Sequence, residues 1–208
     1  MRRRLVLILA LCAAVAAGVA SASAITAQVD PDTAVSPANI QPDGTGARVP
    51  VTATDPDGRP AFAIRVYRSK SGLICPEAGR TADGRFGQLD AAGEVEATDV
   101  AATGVCQDLG KEPAGYAVNH YPARGKLPAR AVVFGVTTDA VTGVALTTGG
   151  VQRPVRFAGN TYISVVREDA LAGASLDVTL SDGSTRSYAL EPSRAPLVAP
   201  APEETTTG

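Results

Sequence analysis

Apolar and polar residues alternate with a period of two through much of the interior of this 208-residue chain. In the stretch ARVPVTATDPDGRPAFAIRVYR, Val49, Val51 and Ala53 alternate with polar residues or proline, and DPDG precedes a second alternating run. Such alternation is typical of half-buried strands, and DPDG is typical of a turn. The stretch therefore predicts a β-hairpin. Because Pro50 lacks an amide hydrogen, we expect its strand to lie at a sheet edge.

The same alternation recurs between residues 131 and 190, where six short candidate strands follow one another. They are AVVFGVTT, VTGVALTT, VQRPVRF, TYISVVRE, SLDVTL and STRSYAL. Gly149-Gly150, Gly159-Asn160 and Asp182-Gly183 supply turn residues that tolerate positive φ. This pattern predicts an all-β protein with an antiparallel, immunoglobulin-like β-sandwich and little helix. About 60 residues are few for such a sandwich, which takes about 100, so we expect the preceding region to complete one compact body.

The first 24 residues have the composition of a secretory signal peptide. Three arginines at positions 2–4 precede an uncharged apolar run over residues 5–20. This run is shorter than the roughly 20 residues of a membrane-spanning helix. Small residues at signal-peptidase spacing predict cleavage after Ala22 or Ala24, and an uncleaved N-terminal anchor is the alternative. We therefore expect a protein that is secreted or held in the cell envelope.

Two other segments have compositions that do not predict a packed core. Residues 25–46 contain three prolines and no apolar periodicity, which is typical of a flexible linker. Residues 191–208 are rich in proline and threonine and are expected to be disordered, because they cannot bury enough apolar surface to offset their ordering entropy. Between them we expect an N-terminal β region at 47–130 and a C-terminal β-sandwich region at 131–190.

Cleavage of the predicted signal peptide would remove Cys12. The two remaining cysteines, Cys75 and Cys106, are 31 positions apart. In an oxidising compartment they most simply form one disulfide, worth about 3–4 kcal/mol in the chain-entropy model. A zinc site needs four ligands with close pairs, and the chain has a single histidine, His120. A cysteine nucleophile paired with His120 would have to stay reduced outside the cytoplasm. We therefore predict a structural disulfide and neither a metal nor a cofactor.

Net charge argues against a nucleic-acid partner. Without the signal peptide, 16 basic residues face 21 acidic ones, a net charge of about −5, whereas nucleic-acid binding requires a clustered basic surface. The densest basic group is Arg65, Arg68, Lys70, Arg80 and Arg85. A group of this kind is usually a solvated strand face. Its members Arg65, Arg68 and Lys70 are our candidate ligand face.

Motifs for catalysis are sparse in this sequence. His120 is the one candidate base for a Ser-His-Asp arrangement, and no serine has the Gly-x-Ser-x-Gly setting of a nucleophile elbow. Since triads assemble from distant residues, a secreted hydrolase that uses His120 stays open as an alternative. The DPDG sequence at 55–58 resembles the start of a calcium loop. Arg59 and Pro60 follow it in place of further oxygen ligands, which favours a turn.

Four stretches resemble a class of secreted proteins of high-GC bacteria to which no activity is assigned. They are RVYRSKSGLICPEAGR, DGRFGQLD, GVCQDLG and AVVFGVTTDAVTGVAL. The resemblance runs from about Ile64 to Leu190 and implies no functional residue. The last third also resembles immunoglobulin-like bacterial modules, which implies a fold and not a function.

Together these observations predict a non-enzymatic binding or structural module that is exported. We expect a monomer that meets a protein or an envelope ligand and that contacts the membrane only through its signal peptide before cleavage. A subunit that needs a partner to complete its sheet is a further alternative.

Overall fold

The computed structural model describes residues 40–190 apart from residues 57, 101–104, 111 and 124. Within this part the chain forms antiparallel strands and a short 3-10 helix at Glu168–Ala170. The strands are β1 (Arg48–Asp55), β2 (Gly58–Arg68), β3 (Ile74–Ala82), β4 (Arg85–Leu89), β5 (Val95–Ala97), β6 (Ala114–Tyr121), β7 (Arg130–Thr137), β8 (Val141–Thr148), β9 (Val151–Arg153), β10 (Arg156–Ala158), β11 (Thr161–Arg167), β12 (Ser175–Leu180) and β13 (Thr185–Ala189). The predicted all-β antiparallel class is confirmed. The predicted signal peptide, most of the linker and the tail lie outside the described residues.

The strands form three sheets. The first has the order β1-β2-β3-β4-β5, the second β10-β11-β7-β6 and the third β13-β12-β8-β9. The chain completes the first sheet before it enters the second at β6 and β7. It then passes to the third sheet, returns to the second at β10 and β11, and ends in the third. The predicted hairpin is β1 and β2, and Pro50 lies in the edge strand β1 as expected.

Strand β7 shows how the three sheets are stacked. All of its residues are buried, and successive side chains of a strand point to opposite faces. Ala131 and Val133 enter a core shared with the third sheet, whereas Val132, Phe134 and Val136 enter a core shared with the first. The second sheet therefore lies between the other two. Burial on both faces accounts for the continuous apolar run of β7.

Two features differ from the sequence-based expectation. The stretch VQRPVRF was expected to be one strand, but it contains β9 of the third sheet and β10 of the second. Pro154 lies between them and has no amide hydrogen for a sheet ladder, so pairing stops where the chain changes layer. The described residues also form three sheets, whereas an immunoglobulin-like sandwich has two, and that finer part of the expectation is not established.

The outer face of the first sheet is covered by the chain itself. The ring of Phe86 packs over Gly79, where an added Cβ would lie 2.8 Å from the ring. The predicted disulfide between Cys75 and Cys106 is present. Beside it, Gln107 and Ile74 form a two-way backbone bridge, with N–O distances of 2.8 and 3.3 Å. The disulfide thus holds the strand-free segment around Cys106 against β3.

The disulfide also bears on the compartment. Disulfides form and persist in oxidising compartments outside the cytoplasm, so the Cys75–Cys106 bond indicates such an environment. Within the part of the chain that the structure describes, no helix is long and apolar enough to cross a membrane.

Candidate functional site

The first candidate residue, Arg65, is buried on β2 of the first sheet, beneath the segment that includes Thr98 and Asp99. Its Nε and Nη2 atoms lie 2.7 and 2.6 Å from Oε2 of Glu77, which is fully buried. Nη1 donates to the carbonyl oxygen of Thr98 and Nη2 to that of Asp99. The guanidinium also lies 4.5 Å from the ring centroid of Phe86. Through these contacts Arg65 holds the first sheet to the segment that includes Thr98 and Asp99.

The other two candidates, Arg68 and Lys70, are exposed near the end of β2. Arg68 donates to the carbonyl oxygen of Gly72, and Lys70 donates to the side chain of Gln41. Residues 65 and 68 are three apart, so in a strand their side chains point to opposite faces. The structure therefore does not bring Arg65 together with Arg68 and Lys70. Their spacing in the sequence already contained this signal.

A second group of buried charges joins the first and second sheets. Nη1 of Arg80 donates to Oδ2 of Asp55 at 2.8 Å and to the carbonyl oxygen of Pro60 at 2.6 Å. Nε of Arg130 donates to Oδ1 of Asp55 at 3.0 Å. The Arg80 guanidinium lies 3.4 Å from the ring centroid of Phe62. Two arginines thus share the Asp55 carboxylate, which gives no support to a calcium loop at DPDG. Its second aspartate, at position 57, lies outside the described residues.

His120, the candidate base of the alternative hydrolase, lies on β6. Its Nδ1 atom is 3.1 Å from Oε1 of Glu168. Its Nε2 atom is buried and has no hydrogen-bond partner among the described residues. A Ser-His-Asp arrangement requires a hydroxyl at the second ring nitrogen. The geometry supplies a carboxylate and an imidazole but no nucleophile at that nitrogen. In the described ranges, no three His, Cys, Asp or Glu side chains are grouped so that they could hold a metal ion.

A cleft of about 460 Å³ lies where β1 passes over β10 and β11. We call it the arginine cleft. Ala53 and Val165 are buried at its floor. Its lining residues are Ala53, Thr54, Pro56, Arg153, Pro154, Arg156, Val165, Val166, Arg167 and Ala170. The lining therefore combines apolar residues with three arginines.

The crossover from the third sheet to the second places two of these arginines. Arg153 ends β9 and Arg156 begins β10, with Pro154 between them. Oγ of Ser164 donates to the carbonyl oxygen of Pro154 at 2.8 Å, which ties the crossover to β11. Nε of Arg153 donates to Oγ1 of Thr148 at 2.6 Å. Both arginines thus stand on backbone that is fixed by neighbouring strands.

The electrostatics of the arginine cleft are unbalanced. No carboxylate of the described residues lies within salt-bridge distance of Arg153 or Arg156. Arg167 alone has one, in Asp169, through two contacts of 3.2 and 3.1 Å. The hydrogen bond between them raises the pKa of Arg167 and lowers that of Asp169. The cleft therefore carries excess positive charge in a chain whose formal net charge is −2.

A smaller cleft of about 190 Å³ lies beside Arg80, Gln88 and Tyr121. Arg80 is almost fully buried there, and its Nε atom has no hydrogen-bond partner in the described part of the chain. Small-molecule sites usually enclose about 300 to 1,000 Å³. The arginine cleft falls in that range, and the cleft at Arg80 does not. A third cleft, of about 320 Å³ beside Arg48, Tyr67 and Arg68, also falls in the range but is smaller than the arginine cleft.

Comparisons of the chain with protein-family models, with curated protein sequences and with solved structures found no match. A function for this chain therefore has to be inferred from the residues that line its clefts.

Proposed function

We propose that this protein is an exported, non-enzymatic binding module of the cell envelope or extracellular space, and that the arginine cleft holds its ligand. One observation carries the proposal, namely a cleft of about 460 Å³ whose lining combines apolar residues with three arginines. Ligand sites typically combine mostly apolar walls with a few polar groups that fix orientation.

The residues that line the arginine cleft favour binding over catalysis. An arginine stays protonated in proteins, so it orients an anion but does not serve as a general base or a nucleophile. Among the described lining residues there is no histidine, cysteine, serine, aspartate or glutamate. His120, the base of the alternative hydrolase, is not among them either. The cleft can therefore hold and orient a ligand without an evident means of transforming it.

Export is supported by the sequence of residues 1–24 and by the disulfide. The basic, apolar and small-residue regions of the N-terminus follow the order of a secretory signal. The Cys75–Cys106 bond suits the compartment that such a signal leads to. The resemblance to secreted proteins of high-GC bacteria agrees with this destination.

The test expresses the full chain and recovers it separately from medium, envelope and cytoplasm for mass spectrometry. We expect an extracytoplasmic chain without residues 1–24, two hydrogens lighter than its dithiol form. Native spectra of the same sample should show a bound small molecule that is lost on denaturation. A chain retaining residues 1–24 in the membrane would contradict cleavage.

Catalysis is tested on the same protein with a panel of ester, peptide and glycoside substrates, using Arg85→Ala as the matched exposed control. We expect no turnover. An activity that His120→Ala abolishes without changing the circular dichroism spectrum would overturn the non-enzymatic proposal in favour of the hydrolase.

A further inference from the structure

We infer that the ligand of the arginine cleft is an amphiphilic anion, with an acyl or aryl body and a carboxylate or phosphate head. The inference rests on the proposed function and names the ligand class for the same site. It follows from the apolar and cationic residues that line the cleft and from the hydrogen bonds of its arginines.

The floor of the cleft selects an apolar body. Ala53 and Val165 present hydrocarbon, and Pro56 and Pro154 add further apolar surface. Water in contact with such surface is displaced favourably by methylene or aromatic groups, with a gain that grows with the area buried. A small hydrophilic anion would leave this surface wet. The apolar floor therefore requires a ligand with a hydrocarbon part.

Arg153 and Arg156, on either side of the crossover at Pro154, select the head group of the ligand. Nε of Arg153 is occupied by Thr148, so its two terminal nitrogens remain as donors, and Arg156 has no partner among the described residues. A guanidinium fork matches the two oxygens of a carboxylate, and the hydrogen bonds are strengthened by charge. A cationic amphiphile would be repelled by the same groups. The head is therefore an anion that accepts hydrogen bonds.

Asp169 offsets the charge of one of the three arginines. Its carboxylate accepts hydrogen bonds from Arg167 at 3.2 and 3.1 Å. Arg153 and Arg156 have no carboxylate partner among the described residues, so they carry the uncompensated positive charge of the cleft. The anionic head is therefore expected at these two arginines, whose forks match a carboxylate or a phosphate.

The test titrates the purified mature protein by isothermal calorimetry with dodecanoate below its micellar concentration. Acetate has the same head without the chain, dodecyltrimethylammonium has the same chain with a cationic head, and dodecyl phosphate has a dianionic head. We expect saturable one-site binding of dodecanoate and of dodecyl phosphate, with the tighter of the two identifying the head, and no saturation by acetate or dodecyltrimethylammonium. Binding of dodecanoate should weaken as salt is added, because screening reduces the attraction of exposed charges.

Variants connect that binding to the cleft. Arg153→Ala and Arg156→Ala should each weaken dodecanoate binding by about tenfold or more, since each removes charge-assisted hydrogen bonds. Arg156→Lys should recover only part of the loss, because lysine keeps the charge but not the fork. Arg85→Ala, an exposed arginine on β4 at a distance along the first sheet, is the matched control and should bind as the unchanged protein does. Melting curves of all four variants check their folding. Arg156 is exposed, so of the cleft positions it is the one where a substitution should disturb folding least.

Each outcome bears on the inference or on the function beneath it. Binding of dodecyltrimethylammonium tighter than that of both anions, or binding of acetate as tight as that of dodecanoate, would overturn the amphiphilic anion, and equal losses in Arg156→Ala and Arg85→Ala would remove the site from the cleft. A co-purified ligand of another class that Arg156→Ala releases would refute the amphiphilic anion while the binding function stands. If no small molecule co-purifies and none of the probes binds, the proposed function fails as well.

Discussion

The buried pair of Arg65 and Glu77 permits a quantitative test of what holds the first sheet to the segment that includes Thr98 and Asp99. The change Glu77→Gln keeps the size of the side chain but removes its charge. Glu77 is fully buried and the Arg65 side chain is 9% exposed, so the guanidinium would remain out of water without its counter-ion. Removing one partner of a buried ion pair typically costs about 3–5 kcal/mol of folding free energy.

The surroundings of Arg65 place the expected loss at the lower end of that range. The carbonyl oxygens of Thr98 and Asp99 still accept its hydrogen bonds, and the ring of Phe86 still faces the cation. We therefore expect Glu77→Gln to lower the free energy of unfolding by about 3 kcal/mol. For a domain of this size, 1 kcal/mol shifts the melting temperature by about 2–4 °C, so the shift should be about 6–12 °C.

The assay is urea and thermal unfolding followed by circular dichroism, with the double variant Arg65→Met/Glu77→Leu alongside. Replacing both members of a buried pair by apolar residues is often neutral or stabilising, so the double variant should be more stable than Glu77→Gln. Glu96→Gln, at an exposed position on β5, is the control and should change the free energy by less than about 0.5 kcal/mol. A loss below about 1 kcal/mol for Glu77→Gln, or a double variant less stable than the single one, would refute a desolvated pair.

Three further changes test other parts of the fold. Reduction of the Cys75–Cys106 bond should lower the free energy of unfolding by about 3–4 kcal/mol, and an unchanged melting temperature in dithiothreitol would argue against its role as a staple. Gly87→Ala should cost about 1–3 kcal/mol in urea unfolding because its Cβ would overlap a carbonyl oxygen of β5, whereas Gly143→Ala, with its nearest atom at 3.8 Å, should cost much less; equal losses would contradict this packing. Burial, with help from a nearby carboxylate, raises the pKa of Tyr67 to about 12. The folded chain then holds the phenol proton more tightly than the unfolded chain, so the free energy of unfolding should fall as the pH rises from about 10 to about 12. The free energy of unfolding of Tyr67→Phe should fall less over that pH range. If the urea midpoints of the two proteins fall in parallel with pH, Tyr67 is not the cause.

The sequence was sufficient to predict the strand content, the first hairpin and the disulfide, because each depends on local pattern or on cysteine count. Strand β3 was missed. Apart from Ile74 its residues are small, charged or proline, and they are buried because the second sheet packs against one face while Phe86 and the disulfide-linked segment lie against the other. Only tertiary contacts supply that cover. The alternation of apolar residues shows that a face is buried, but it does not show what lies against it.

The stacking of three sheets had a partial signal in the sequence. The run AVVFGV in β7 is apolar at consecutive positions, which indicates burial on both faces and hence two neighbouring layers. Which strands form those layers depends on pairings such as β7 with β11, across more than twenty intervening residues. Local pattern does not contain such pairings.

The arginine cleft was missed for the same physical reason. Arg153 and Arg156 lie within the one expected strand VQRPVRF, where residues three apart would point to opposite faces and not into a shared cleft. Pro154 was the available signal that the strand breaks there. What the sequence could not show is that β1, far away in the chain, passes beside this break and supplies Ala53 to the same cleft.

The position of the cleft follows from the layering of the fold. The second sheet ends at the edge strand β10, and the first sheet ends at the edge strand β1, which lies over it. The chain must leave one layer and enter another at Pro154, so this corner cannot be filled by continuous strand pairing. Arginines at the break remain partly exposed while the buried floor below them is fixed by the two cores. The buried ion pair of the first sheet and the exposed Arg156 at this corner thus lie in separate parts of the fold. Changes to Glu77 should therefore affect unfolding, and changes to Arg156 should affect ligand binding with little effect on unfolding.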